Sequence, residues 1–319
     1  MGISAAVCDA HHAAAPQLPR FRLQGADSAP NRHDHPIAPD ADTTRLLLAC
    51  PDRPELIATV SGFLADAGLN IVDVDQHSTA AGRFFMRMVF DSPGPPERGA
   101  LEERFAREIA TPFEMDHTFS ESTTRKRVAV MVSREDHCLS DLLWRRRNDH
   151  LGGEIVAVIS NHEDLRAEVE TVGLPFHHVP VTRATKDEAE RRALELIGDV
   201  DLLVLARYMQ ILSAAFLEAL DAPAINIHHS FLPAFVGADP YARAHERGVK
   251  LIGATAHYVT ADLDAGPIID QDVVRVGHAD EVPDLVRIGR DVERLVLARA
   301  VTAHLEDRVL LDGERTVVF

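Results

Sequence analysis

Asn226, His228 and Asp264 are the side chains of this sequence best suited to work on a carbonyl group. An amide and an imidazole both donate hydrogen bonds to a developing oxyanion, and a carboxylate can hold water against the carbonyl carbon. The first two lie in Ile225-Asn226-Ile227-His228-His229-Ser230-Phe231-Leu232-Pro233, where an apolar run gives way to a loop. Side chains two apart share a face of a strand, so Asn226 and His228 are expected to point one way and His229 the other. That divergence argues against a His228-His229 metal pair. On Asn226 and His228 alone, polar groups satisfying backbone at a strand end explain the residues equally well.

Asp264 tips the balance toward chemistry. It lies in a loop, Thr260 to Pro267, that Gly266-Pro267 stops sharply. A carboxylate that reaches His228 favours the charged imidazole and can also orient a water. Asp262 suits a structural Asx turn better. The rival centre is Cys138, which follows His137 near the start of a helix, where a thiolate is stabilised. Leu139, Leu142 and Leu143 make that turn half-buried, so a packing role is expected. The same loop, Ser133-Arg134-Glu135-Asp136-His137-Cys138, contains no glycine, and its two acidic residues disfavour a phosphate there.

These residues need elements to position them. Arg45 to Cys50 reads as a strand, and Ile57, Val60, Phe63 and Leu64 lie at helical spacing. Ile71 to Val74 and Phe84 to Val89 read as strands joined by a turn at Ala80-Ala81-Gly82. A helix from Leu101 to Ile109 and a strand from Phe113 to Phe119 complete the order β-α-β-β-α-β, that of a ferredoxin-like sandwich. After a polar linker, apolar strands at 127–132, 155–159, 176–179, 202–206 and 224–228 alternate with helical segments. Short apolar runs between helices predict a mostly parallel, Rossmann-like α/β sheet buried on both faces. Ile252 to Val259 and Pro267 to Val276 flank Asp264 as a hairpin-like pair, and Asp284 to His304 forms a closing helix. Ligands of such sheets sit at the carboxyl ends of the strands, where Asn226 and His228 fall.

Composition narrows the function. A chain of 319 residues, 46% hydrophobic, suits two domains. The net charge of −17 argues against nucleic acid and for a small-molecule ligand. The three cysteines, Cys8, Cys50 and Cys138, are too scattered for a disulfide framework or zinc cage, which suits a cytoplasmic protein. No apolar run approaches the roughly 20 residues of a membrane span, so no membrane partner is expected. Residues 1–43 are rich in Ala, His, Pro and Asp and read as a disordered tail.

The segments Asn226 to Pro233, Gly253-Ala254-Thr255-Ala256-His257-Tyr258-Val259 and Asp264-Ala265-Gly266-Pro267-Ile268-Ile269 resemble those of the formyltetrahydrofolate deformylases, relatives of glycinamide ribonucleotide transformylase. The resemblance extends to Asp136-His137-Cys138-Leu139, Ser160-Asn161-His162, Leu205 to Ser213 and Arg287-Ile288-Gly289-Arg290-Asp291. Only the tail before about Thr44 falls outside it. The small domain, 44–122, resembles an ACT domain, a ligand-sensing module; 127–319 resembles the formyltransferase-like catalytic domain.

The resemblance implies hydrolysis of 10-formyltetrahydrofolate to tetrahydrofolate and formate, balancing the one-carbon folate pool and supplying formate for purine synthesis. Asn226, His228 and Asp264 match the catalytic trio. Met209, Gln210, Ile211 and Leu212 match the segment that holds the pterin, and Val259, Thr260 and Leu263 belong to the loop that closes over it. No cofactor and no metal are implied. Methionine and glycine are the implied effectors, and a homo-oligomer the implied assembly. Asp239 stands where the family pattern has a basic residue, and Ala265 where it has an acidic one. A formyl transferase that passes the group to an amine is the alternative, and a non-catalytic folate sensor a further one.

Overall fold

Residues 42–233 and 239–319 are described by the computed structural model. The expected tail, apart from Asp42 and Thr43, lies outside the described residues. The first sheet is built by β1 (Thr43–Pro51), β2 (Ile71–Ser78), β3 (Arg83–Asp91) and β4 (Asp116–Glu121), in the order β2-β3-β1-β4. Its paired strands run antiparallel. Helices α1 (Leu56–Asp66) and α2 (Pro95–Phe105) cover one face. The β1-α1-β2-β3-α2-β4 order is the ferredoxin-like one expected. The second helix begins earlier than its apolar spacing implies and runs on through a π-helical turn (Ala106–Ala110) into α3 (Thr111–Phe113). Phe113 therefore ends a helix, and the last strand starts three residues later than its apolar residues suggest.

Alternation along the strands sorts the two faces of this sheet. Leu46, Leu48, Phe84, Met86 and Met88 meet Val60, Phe63, Leu64 and Phe105 in one core. Ala49 and Phe85 point the other way, onto Leu310, with Leu47, Val317 and Phe319 packed around them. Leu310 and Val317 belong to a hairpin of β12 (Val309–Asp312) and β13 (Arg315–Val318) at the far end of the chain, and Phe319 follows it.

The second sheet has seven strands. Its parallel part comprises β5 (Lys126–Val132), β6 (Gly153–Ser160), β7 (Phe176–His178), β8 (Leu202–Ala206) and β9 (Ala224–His228). It is extended by β10 (Leu251–Tyr258) and β11 (Ile268–Arg275), which run antiparallel. The order β11-β10-β9-β8-β5-β6-β7 reverses direction between β5 and β8, the place where open α/β sheets leave a crevice. Val128, Val130 and Val132 face one core with α4 (His137–Arg147) and α9 (Val282–Leu305); Ala129 and Met131 face another with α6 (Lys186–Ile197) and α7 (Ala214–Ala219). Helices α5 (Arg166–Thr171) and α8 (Pro240–Arg247) complete the set. Burial on both faces is why these strands are apolar at nearly every position. No described helix is long and apolar enough to cross a membrane.

Candidate active site

Strand β9 ends at His228, and β10 beside it sets Asn226 opposite His257 and His228 opposite Thr255. The chain leaves β10 at Tyr258, loops through Asp264 and returns to β11. Tyr258 N–H donates to the Pro267 carbonyl at 2.9 Å and pinches the loop at its base. Gly266 is obligatory there, because a Cβ would run into the Tyr258 carbonyl oxygen. Asp264 itself adopts a left-handed conformation, φ 54°, which aspartate tolerates better than most residues.

The loop delivers its carboxylate to the sheet edge. Asp264 Oδ2 lies 3.3 Å from His228 Nδ1, and Oδ1 lies 3.7 Å from His257 Nε2. Asn226 Nδ2 lies 3.3 Å from the same His257 nitrogen. The hydrogen bond from His228, with the His257 imidazole beside it, holds the Asp264 carboxyl well below the usual carboxylate range, against the opposing effect of burial. His257 Nδ1 donates to the Tyr258 carbonyl at 2.8 Å, which leaves Nε2 to accept from the Asn226 amide. One amide hydrogen of Asn226 thus remains for another acceptor. His228 Nε2 is buried and has no hydrogen-bond partner among the described residues, so it is a second group available to a ligand. A half-buried amide and a buried imidazole next to a fixed carboxylate form an arrangement fitted to a carbonyl that becomes an oxyanion.

Asn226, His228 and Asp264 thus come together, and His257 joins them. Sequence reasoning missed His257: its relevance lies in the β9–β10 register, an antiparallel pairing that no local pattern announces. His229 needs a correction. Its ring does not diverge from that of His228; the centroids are 5.4 Å apart, because the strand ends at His228 and the chain bends. Burial, reinforced by neighbouring Arg207, pulls the His229 pKa down to about 4 and keeps it neutral.

The expected folate residues fall into two groups. Met209, Ile211 and Leu263 are large apolar side chains more than half exposed, and Gln210 and Thr260 are exposed as well. Leu212 and Val259 are half-buried and pack against the core beneath. Exposed apolar groups on two loops at the carboxyl edge are what an aromatic ring system would cover. Met209 and Gln210 also line a cleft of about 460 Å³ at the sheet reversal with Ser133, Arg134, Glu135, Asn161, His162 and Arg207. Asp239 adopts the left-handed conformation at the start of α8, and Ala265 N–H closes a turn on the Asp262 carbonyl.

Cys138 is 1% exposed, and burial followed by the charge of Glu293 pushes its thiol well up, so it stays protonated. This is the packing role expected of it. His137, Cys138 and Glu293 have donor atoms within 4.8 Å of one another. The Glu293 oxygens already accept from His137 and Tyr241, and the Arg207 guanidinium stands 3.4 Å away, where a metal cation would be repelled.

The fold and the edge site define a formyl transferase-type domain carrying a small ferredoxin-like domain. Accordingly, residues 126–301 match the formyl transferase family model and residues 44–109 match the ACT domain model. The formyltetrahydrofolate deformylase of Mycobacterium bovis is 57% identical over 92% of this chain and 98% of its own. A crystal structure of a formyltetrahydrofolate deformylase from Pseudomonas syringae pv. tomato superimposes with TM-score 0.84 at 51% identity, covering 88% of this chain and 95% of that one. Glycinamide ribonucleotide transformylase 1 from Symbiobacterium toebii is more distant, with TM-score 0.57 and 32% identity over 61% of this chain and 94% of its own. The chain belongs to the formyltetrahydrofolate deformylase family.

Proposed function

We propose that this protein hydrolyses 10-formyltetrahydrofolate to tetrahydrofolate and formate. The observation that carries the reading is the meeting of Asp264 with His228 and His257 beside Asn226, in a chain 57% identical to a deformylase. Water held by the Asp264 carboxylate adds to the formyl carbon. Asn226 Nδ2–H and His228 Nε2–H receive the oxyanion; the carbon–nitrogen bond then breaks, formate departs and the folate nitrogen takes a proton. Because the Asp264 carboxyl stays ionised far into acid, it acts as an anion that orients water and offsets charge on His228.

The pterin lies against Met209, Gln210, Ile211 and Leu212, with Val259, Thr260 and Leu263 closing over it; the exposure of the apolar members supports this. Residues 127–319 are the catalytic portion in this reading, and 44–122 a regulatory portion that binds an amino acid, with methionine and glycine as opposing effectors. The match to an ACT domain supports a small-molecule ligand there. A homo-oligomer joined through the small domain fits the exposed Val72 and Val74 on edge strand β2. The reaction belongs in the cytoplasm, where buried free thiols such as Cys50 and Cys138 persist, and it proceeds without cofactor or metal in this mechanism.

Incubation of the protein with 10-formyltetrahydrofolate and no amine acceptor tests the reading. Stoichiometric formate is the expected result, and tetrahydrofolate formation that depends on an added amine would replace hydrolysis by transfer. The same assay with methionine and glycine reads the effectors, whose opposing shifts in rate are expected.

A further inference from the structure

Behind His228 lies a group of buried polar residues that the hydrolytic mechanism does not use. Glu293, in the middle of α9, is 1% exposed. It accepts from the Tyr241 hydroxyl at 2.5 Å and from His137 Nε2 at 2.8 Å, and Arg207 Nε stands 3.4 Å from it. Gly289, one helical turn earlier on α9, makes room for this contact, since a Cβ there would strike the Tyr241 hydroxyl. The Tyr241 ring lies 5.9 Å from the His229 ring, which lies 5.4 Å from that of His228. The cluster is therefore two rings away from the proposed centre.

Arg207 is the unusual member. It directly follows β8 and has φ 62°, a left-handed conformation that strains an L residue. Its side chain is 13% exposed, and neither Nε nor Nη1 has a hydrogen-bond partner among the described residues. Buried ion pairs contribute little net stability, so a strained, incompletely satisfied arginine needs another reason. Its position supplies one. Arg207 is the lining residue of the cleft at the reversal between β5 and β8 that also reaches Glu293. In open α/β sheets this crevice is where ligands bind.

We propose that Arg207, backed by Glu293, His137 and Tyr241, forms a plug in the wall between this crevice and the space behind His228 and reserves the formyl carbon for water. The inference rests on the deformylase reading above. A nucleophilic amine must bring its nitrogen lone pair to the formyl carbon while its substituents trail into free space. Water has no substituents. With the inner wall of the crevice made of paired charge, a substituted amine meets side chains that cannot leave without stranding a buried carboxylate. Arg207 and Glu293 are thus specificity-determining residues: they do not touch the reacting atoms, and they decide which nucleophile arrives. Opening the plug permits a second balanced reaction, in which the amine adds to the formyl carbon, the carbon–nitrogen bond breaks, tetrahydrofolate leaves with a proton and a formamide forms.

The test is the ratio of formate to tetrahydrofolate in the presence of glycinamide, a small substituted amine. Wild-type protein is expected to release one formate per tetrahydrofolate at every amine concentration. In Arg207→Gly, which also relieves the strained backbone, the ratio is expected to fall by at least roughly a tenth, with formylglycinamide making up the balance. Arg207→Gly combined with Glu293→Gln serves where the unpaired carboxylate prevents folding, and Arg207→Lys is expected to restore the wild-type ratio. Formylglycinamide formed by the wild type would overturn the plug, as would an unchanged ratio in folded glycine variants. Wild-type protein that releases no formate with or without amine would overturn the deformylase reading itself, and the plug with it.

Discussion

His257 touches Asn226 with the same nitrogen that faces Asp264, so one ring links the proposed amide donor to the carboxylate. Its other nitrogen is held by the Tyr258 carbonyl, which fixes how Asn226 presents its remaining hydrogen. Asn226→Ala is expected to fold normally and lose about 10²–10³ in kcat, the usual cost of one oxyanion donor. His257→Ala removes a positioning hydrogen bond of about 1 kcal/mol, roughly a fivefold loss. Because His257 acts on the amide through Asn226, the double variant is expected to be no slower than Asn226→Ala alone. Steady-state kinetics on the three variants checks this; a full product of the two losses would give His257 a direct contact with substrate. The trio was legible from residue type and spacing, since Asn226 and His228 share a strand face and Asp264 sits in a loop closed by Gly266-Pro267. His257 was not, because its place follows from strand pairing over 31 positions, and the bend that turns His229 toward His228 begins where the strand pattern ends.

The loop between β10 and β11 is short, pinched and intolerant of added atoms at Gly266. Gly266→Ala must push against the Tyr258 backbone, and the yielding part is the loop, since β10 is paired on both sides. The expected outcome is a loss of turnover comparable to that of Asn226→Ala with a melting temperature near wild type, measured by scanning calorimetry. An active Gly266→Ala protein would mean that the loop moves freely. Most elements followed from apolar periodicity, because parallel strands covered on both faces and amphipathic helices leave clear runs. The π-helical turn after α2 and the late start of β4 did not, since Phe113 looks the same whether it packs from a helix end or a strand. Antiparallel β10 and β11 were visible as a pair, but their attachment beside β9 was not. That attachment is what carries Asp264 to His228.

At the scale of the whole molecule, Asp307 joins the two sheets. It receives Arg45 of β1 at 3.2 Å, Ser120 of β4 at 2.6 Å and Lys126 of β5. Burial pushes its carboxyl up, but Lys126, Ser120 and Arg45 outweigh that and hold it below the ordinary value. A depressed carboxylate contributes stability above the unfolded range of about 4 and loses it as pH falls through the folded value. Asp307→Asn is therefore expected to cost about 2–3 kcal/mol at neutral pH, with the difference from wild type narrowing below about pH 4. Thermal unfolding across that range checks the sign. Arg87 adds a second tie, donating to the Asp307 and Glu306 carbonyls at 3.1 and 3.3 Å at the end of α9. Phe85, fully buried against Leu310, adds a third. Phe85→Ala should cost about 3–5 kcal/mol and shift a single calorimetric transition; two separate transitions would show that the sheets unfold independently. The terminal hairpin has a further consequence during synthesis. The outer face of the first sheet is translated early, but Leu310, Val317 and Phe319 leave the ribosome only about two hundred residues later. Until they do, Ala49 and Phe85 face water, so the nascent chain carries an unfinished apolar surface that a chaperone would recognise.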